Sequence, residues 1–176
     1  MTTTINADTL TGAAIITADA SGQLGLQAAG VTALTLNPTN SVFNRSLLET
    51  VTVTAAAPAA TQTYDAITQQ VQLYTTNAAN TWVVNLRGNG SVSMNTLLAT
   101  GQAVTCAMLV TQGASGASFY VTSVQVDGTT SGVVTDWQGG TAPSAGNANG
   151  IDAYTFTVIK TGSATYTVLA ALTRFA

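Results

Sequence analysis

The stretch IDAYTFTVIKTGSATYTVLAAL, Ile151–Leu172, decides the fold class. Its first half places Tyr154, Phe156 and Val158 at every second position up to Lys160, and Thr161-Gly162 reads as a turn. From Ser163 the alternation resumes through Tyr166, Val168 and Ala170. A period of two sends alternate side chains to opposite faces of an extended chain, so the stretch predicts a β-hairpin with one apolar face. The same period runs through Gln102–Gln112, with Val104, Cys106, Met108 and Val110 on one side and Ala103, Thr105, Ala107 and Leu109 on the other. Ala117–Val126 leads into Asp127-Gly128, a tight-turn signal that predicts hairpin strands there. Further strands are expected at Leu48–Thr54, Val71–Thr75, Trp82–Leu86 and Val133–Trp137. Arg87-Gly88-Asn89-Gly90 reads as a turn, and helix is limited to a short piece around Thr96–Ala99.

Thr, Val, Ile and aromatic side chains dominate these segments and suit pleated surfaces better than helices. Strands at this spacing, in a mostly antiparallel order, predict an all-β fold: an antiparallel β-sandwich of the jelly-roll kind over residues 46–176. Ala55–Ala60 is a small-residue connection. Gln138–Gly150 is long and rich in Gly and Asn, and reads either as a contact surface or as a Greek-key crossover.

Residues 1–45 have a different texture. Ala7-Asp8-Thr9-Leu10-Thr11-Gly12 is echoed by Ala18-Asp19-Ala20-Ser21-Gly22, and the pairs Leu24, Leu26 and Leu34, Leu36 follow. So few apolar groups do not close a core of their own. They are buried when equivalent strands of other subunits close around an axis, which predicts a short N-terminal β arm for oligomerisation or attachment. Ile5, Leu10, Ile15, Leu24 and Leu26 are its candidate interface residues. The alternative folds the arm back on the main domain.

Composition narrows the function classes. Hydrophobic residues make up 46% of the chain but charged residues only 6%, where a typical soluble domain carries about a quarter. No run approaches the roughly 18 apolar residues that a membrane helix needs, so no membrane partner is expected. Mean hydropathy of +0.32 and net charge of −3 are the reverse of a disordered composition. A surface so poor in charge repels its neighbours weakly, which predicts an assembly component. Arg45, Arg87, Lys160 and Arg174 are scattered and the pI is near 4.3, so nucleic acid is not an expected partner. Cys106 is the only cysteine, which rules out an intrachain disulfide. The first residues have neither a basic start nor an apolar h-region, so synthesis in a cytoplasm without a recognisable export signal is expected.

Catalytic chemistry finds little to work with. The chain has no histidine, which excludes a Ser-His-Asp triad, a Cys-His pair and any zinc site that uses His. Cys106 lies on an apolar strand face with no basic neighbour and is expected to be a buried structural thiol. Two of Asp8, Asp19, Glu49, Asp65, Asp127, Asp136 and Asp152 could pair as a glycosidase acid and nucleophile. Asp8, Asp19 and Asp127, however, sit in turn-like contexts, and none has the spacing of a calcium loop. Gly88-Asn89-Gly90 and Gly139-Gly140 lack the lysine and the strand-to-helix setting of a phosphate cradle, and read as turns. No catalytic residue, metal or cofactor is expected. Most aromatic residues are expected in the core. Trp137, beside the Gly-rich loop, is kept as a candidate interface or ligand residue.

Ile5-Asn6-Ala7-Asp8-Thr9 and Asp19-Ala20-Ser21-Gly22-Gln23-Leu24-Gly25-Leu26-Gln27 resemble the opening of many tailed-bacteriophage virion proteins, fibres and head decorations among them. Ala107–Val110, Asp136–Asn147 and the terminal Ile151–Ala176 resemble structural proteins of cyanophages and related phages. The resemblance implies a homotrimeric, non-enzymatic virion component. It would be a capsid decoration (cement) protein bound to the major capsid protein on the outer capsid surface, or a tail fibre or neck appendage that recognises the host surface. The family pattern brings no catalytic residues. The chain is short and lacks the extended repeat of a long fibre, so decoration is the first expectation.

Overall fold

The computed structural model describes residues 24–176, which divide into two units between Leu48 and Glu49. The first holds β1 (Leu24–Ala28), β2 (Val31–Leu36) and β3 (Ser41–Phe43), an antiparallel sheet in the order β1-β2-β3. Ala29 and Gly30 both take positive φ, 50° and 76°, the primed-turn geometry whose twist matches a two-residue hairpin.

The second unit contains β4 (Val51–Thr54), β5 (Thr61–Asp65), β6 (Val71–Tyr74), β7 (Trp82–Arg87), α1 (Met94–Leu97), β8 (Ala103–Thr111), β9 (Val121–Val126), β10 (Val133–Trp137), β11 (Ile151–Gly162) and β12 (Thr165–Phe175). These strands form a six-stranded sheet, β10-β12-β11-β8-β6-β4, and a three-stranded sheet, β5-β7-β9. The fold class is all-β, as the alternation predicts. The order is not that of an antiparallel jelly roll. From β4 to β10 each strand lies in the other sheet from its predecessor, so that β4, β6 and β8 pair in parallel, as do β5, β7 and β9. β10 pairs with β12 in parallel, and only β8–β11 and β11–β12 are antiparallel in this unit. Alternation fixes which side chains face inward but not which strand lies alongside. Connections such as 55–60 and 66–70 are long enough to cross the roughly 10 Å between packed layers, so they change sheet where a tight hairpin would stay in one.

Two local expectations are corrected for related reasons. Asp127 and Gly128 do form a tight turn, with φ of 53° and 81°. Val126 and Thr129 exchange backbone hydrogen bonds of 3.0 and 3.2 Å around it. Pairing nevertheless stops at that single bridge, because β9 and β10 belong to different sheets. The β11–β12 turn falls at Ser163-Ala164, two residues beyond Thr161-Gly162, after a register shift between Lys160 and Gly162. β5 has no apolar alternation to announce it; in Thr61–Asp65 only Tyr64 is buried.

Both sheets supply one core. The six-stranded sheet contributes Tyr74, Cys106, Met108, Val110, Tyr154, Phe156, Val158, Tyr166 and Val168, and the three-stranded sheet Tyr64, Trp82, Val84, Leu86, Val121, Val124 and Val126. Val121 and Val124 both face inward because the register slips between Trp82 and Val83, a bulge that uses up one residue of β9. Trp82 meets Tyr154 edge-on at 5.7 Å, and Tyr154 stacks on Phe156 at 6.2 Å.

Candidate functional site

In the first unit the pairing brings the leucines together. Leu24 lies opposite Leu36, Leu26 opposite Leu34, and Leu34 opposite Phe43. Residues opposite one another share a face, so five large apolar side chains line one side of a three-stranded sheet. Among the described residues nothing covers them fully: no described side chain of residues 24–48 is buried, and Leu26 and Phe43 are 41% and 55% exposed. This surface holds the candidates Leu24 and Leu26. Ile5, Leu10 and Ile15 lie outside the described residues. Leu34, Leu36 and Phe43 join the same face, and the signal for the two leucines was their spacing of two.

Trp137 ends edge strand β10, opposite Ala170 of β12. Ala170 points inward, and so does the indole, which meets Phe156 edge-on at 6.3 Å and is half-buried against the core. Two shallow clefts of about 310 and 320 Å³ flank Trp137. The first is lined by Gln138, Thr141, Pro143 and Arg174 among others, and the second by Asp136, Thr155, Thr157 and Leu169.

Of the five described carboxylates, Asp65, Asp127 and Asp152 are committed to structure, while Glu49 and Asp136 are exposed. Asp127 accepts hydrogen bonds from the Met94 and Asn95 backbone N–H groups at 2.7 and 3.1 Å, and so caps α1 together with Ser93. The Lys160 ammonium closes the other end of α1, donating to the carbonyls of Asn95 and Leu98 at 2.6 and 2.9 Å. Asp65 pairs with Arg87 at 2.6 Å. Asp152 is fully buried, and its Oδ2 accepts from the Gln112 side chain at 3.0 Å and from the Asn147 backbone at 3.2 Å. Burial pushes its pKa up from the ordinary carboxylate value, against those two hydrogen bonds and the nearby Arg174. Asn147 and Arg174 in turn tie the Gly-rich loop to β12: Asn147 Nδ2 donates to the Phe175 carbonyl, and Arg174 to the Ala145 carbonyl. That connection carries the chain from β10 to β11 past the intervening β12. Cys106 is buried, and desolvation raises its thiol pKa to about 12. Among the described residues no group of three or more Cys, Asp or Glu side chains is placed to hold a metal ion, and no helix is long and apolar enough to cross a membrane.

No known protein family matches this chain, and neither the curated proteins nor the solved structures contain a significant match to it.

Proposed function

We propose that the chain is a non-enzymatic structural subunit of a tailed-phage virion: a capsid decoration protein that binds the major capsid protein as a homotrimer on the outer head surface. The finer fold reading that goes with this is a two-layer β-sandwich carrying a small N-terminal sheet. The observation that carries the proposal is the leucine face of β1–β3, an apolar surface on a unit too small to bury it, in a chain with only 6% charged residues. Three copies of such a sheet closing around an axis would remove those leucines from water, and many repeated contacts on a lattice would make individually weak interfaces strong. Immunogold labelling of intact virions with antibody against this chain tests the reading. Gold over the whole head is the expected result. Gold confined to the tail or neck, or absent from particles, overturns it.

One observation favours a second reading, a fibre or appendage that recognises host-surface sugar: the clefts beside Trp137 combine an indole edge with Asp, Gln, Thr and Arg side chains. That reading requires the isolated protein to bind host cells and to lose binding on Gln138→Ala.

A further inference from the structure

We propose that the outward face of the six-stranded sheet is a self-association surface on which a second copy of this chain packs sheet against sheet. The inference rests on the reading of the chain as an assembly subunit, and adds a two-fold contact to the three-fold one assigned to the N-terminal sheet.

Strand register lays this face out in rows. Val53, Leu73, Leu109, Ala153 and Thr173 stand opposite one another across five adjacent strands and form one continuous row. The flanking rows are of the same kind, with Val51 and Val71 at one end, and Thr105 hydrogen-bonded to Thr157 at 3.0 Å in the middle. Val53, Val134 and Leu169 are 63%, 58% and 49% exposed. Of the side chains that point outward from the six strands, only Asp136, on edge strand β10, carries a charge. β11 makes the bias plain: its two charged residues, Asp152 and Lys160, both point inward and are buried, while its outward positions are Ile, Ala and Thr. An antiparallel or mixed sheet with one face in water ordinarily shows the opposite pattern, apolar inside and charged outside. β11 instead places Thr and aliphatic groups where a wet face would place Lys and Glu.

The occupant follows from charge and area. A face without charge offers nothing to a charged partner, and leaves any charge brought against it unpaired and desolvated. A second copy of the same face brings none except Asp136 at the margin. Strands of four to twelve residues, at roughly 3.3 by 4.8 Å per residue, give a face of about 700 Å². A standard stable interface needs about 800 Å² per partner, so this face nearly supplies one by itself. Two such twisted sheets pack about 10 Å apart with their side chains interdigitated, the arrangement of ordinary sheet-on-sheet cores.

The experiment measures the mass of the full chain by sedimentation velocity and light scattering, for the parent and three variants. Thr155→Lys with Leu169→Lys puts two charges on exposed positions of the face; Ser131→Lys puts one on an exposed loop away from it; Leu26→Lys with Phe43→Lys charges the N-terminal sheet. We expect the parent to form an even-numbered assembly, the face variant to fall to half that mass, Ser131→Lys to leave it unchanged, and the N-terminal variant to fall to a dimer. Circular dichroism verifies folding. If the double face variant unfolds, the single Thr155→Lys at an exposed threonine is read the same way. A monomeric parent, or a folded face variant with the parent's mass, overturns the inference. A chain found on virion heads but insensitive to charge on this face would overturn the pairing and leave the decoration role standing.

Discussion

Asp152 and Gln112 form the most demanding polar pair in the core. The Gln112 amide nitrogen donates both to Asp152 Oδ2 and to the Phe119 carbonyl, which fixes the amide orientation and turns Oε1 away from both acceptors. Gln112 Oε1 and Asp152 Oδ1 are then both buried without a protein donor. A carboxylic acid whose folded pKa lies above its unfolded one binds more protons when folded. Its contribution to stability is therefore complete below the unfolded value, near 4, and is lost as pH rises through the raised folded value. Asp152→Asn keeps an acceptor for Gln112 and Asn147 and removes the titration. The unfolding free energy of the parent, measured in urea relative to this variant, should fall as pH rises through that window; a flat or rising difference refutes the assignment. Asp152→Ala leaves the Gln112 amide and the Asn147 N–H short of an acceptor and should cost about 1–3 kcal/mol. Cys106 gives a simpler readout: a buried thiol with its pKa raised to about 12 should resist alkylation at pH 8 in the native chain and react once the chain is unfolded in denaturant.

At the scale of elements, α1 is a single turn that local sequence barely specifies. Four residues cannot sustain a helix in water. Its N-terminus is held by Ser93 and by Asp127, 33 residues away from Met94, and its C-terminus by Lys160, from a third part of the chain. Asp127→Ala should cost about 1–2 kcal/mol by uncapping Met94 and Asn95, measured as a shift in urea midpoint at constant slope. Gly132, just before β10, has φ of 74°, and a Cβ there would run into the Ala164 carbonyl. Gly132→Ala should therefore destabilise by more than about 1 kcal/mol, since it adds backbone strain to a clash that only main-chain movement relieves. These elements also mark how far the sequence could be read. The inward sets of β8, β11 and β12 were legible because every second residue is apolar and both faces differ. β5 was not, since a polar strand with one buried tyrosine has no period. The turn residues at Asp127-Gly128 announced a reversal of direction but carried no information about which sheet received the next strand.

For the whole molecule, the leucine spacing that located the N-terminal sheet was readable from local sequence, whereas the parallel order of the larger unit was not. Pairings such as Val71 with Ala107 span a helix and a strand of the other sheet, and no short window contains both partners. Likewise Trp137 was legible as a large aromatic beside a loop, but its direction depends on its register with Ala170. Deleting residues 1–30 removes β1 and the turn into β2, so the truncated chain should retain the cooperative melting of the larger unit and lose attachment to expanded capsids in a co-sedimentation assay. Attachment undiminished by the deletion would place the contact elsewhere. The sheet order has one more consequence, for the way the protein is made. β12 is synthesised after every other strand described above, yet it lies in the interior of the six-stranded sheet, between β10 and β11. A nascent chain held on the ribosome before residue 165 has its other strands but an open slot where two ladders should meet. The sheet then closes only after translation has passed β12, so chains terminated before it are left with β10 unpaired and β11 as an open edge, and are exposed to proteolysis before they can enter an assembly.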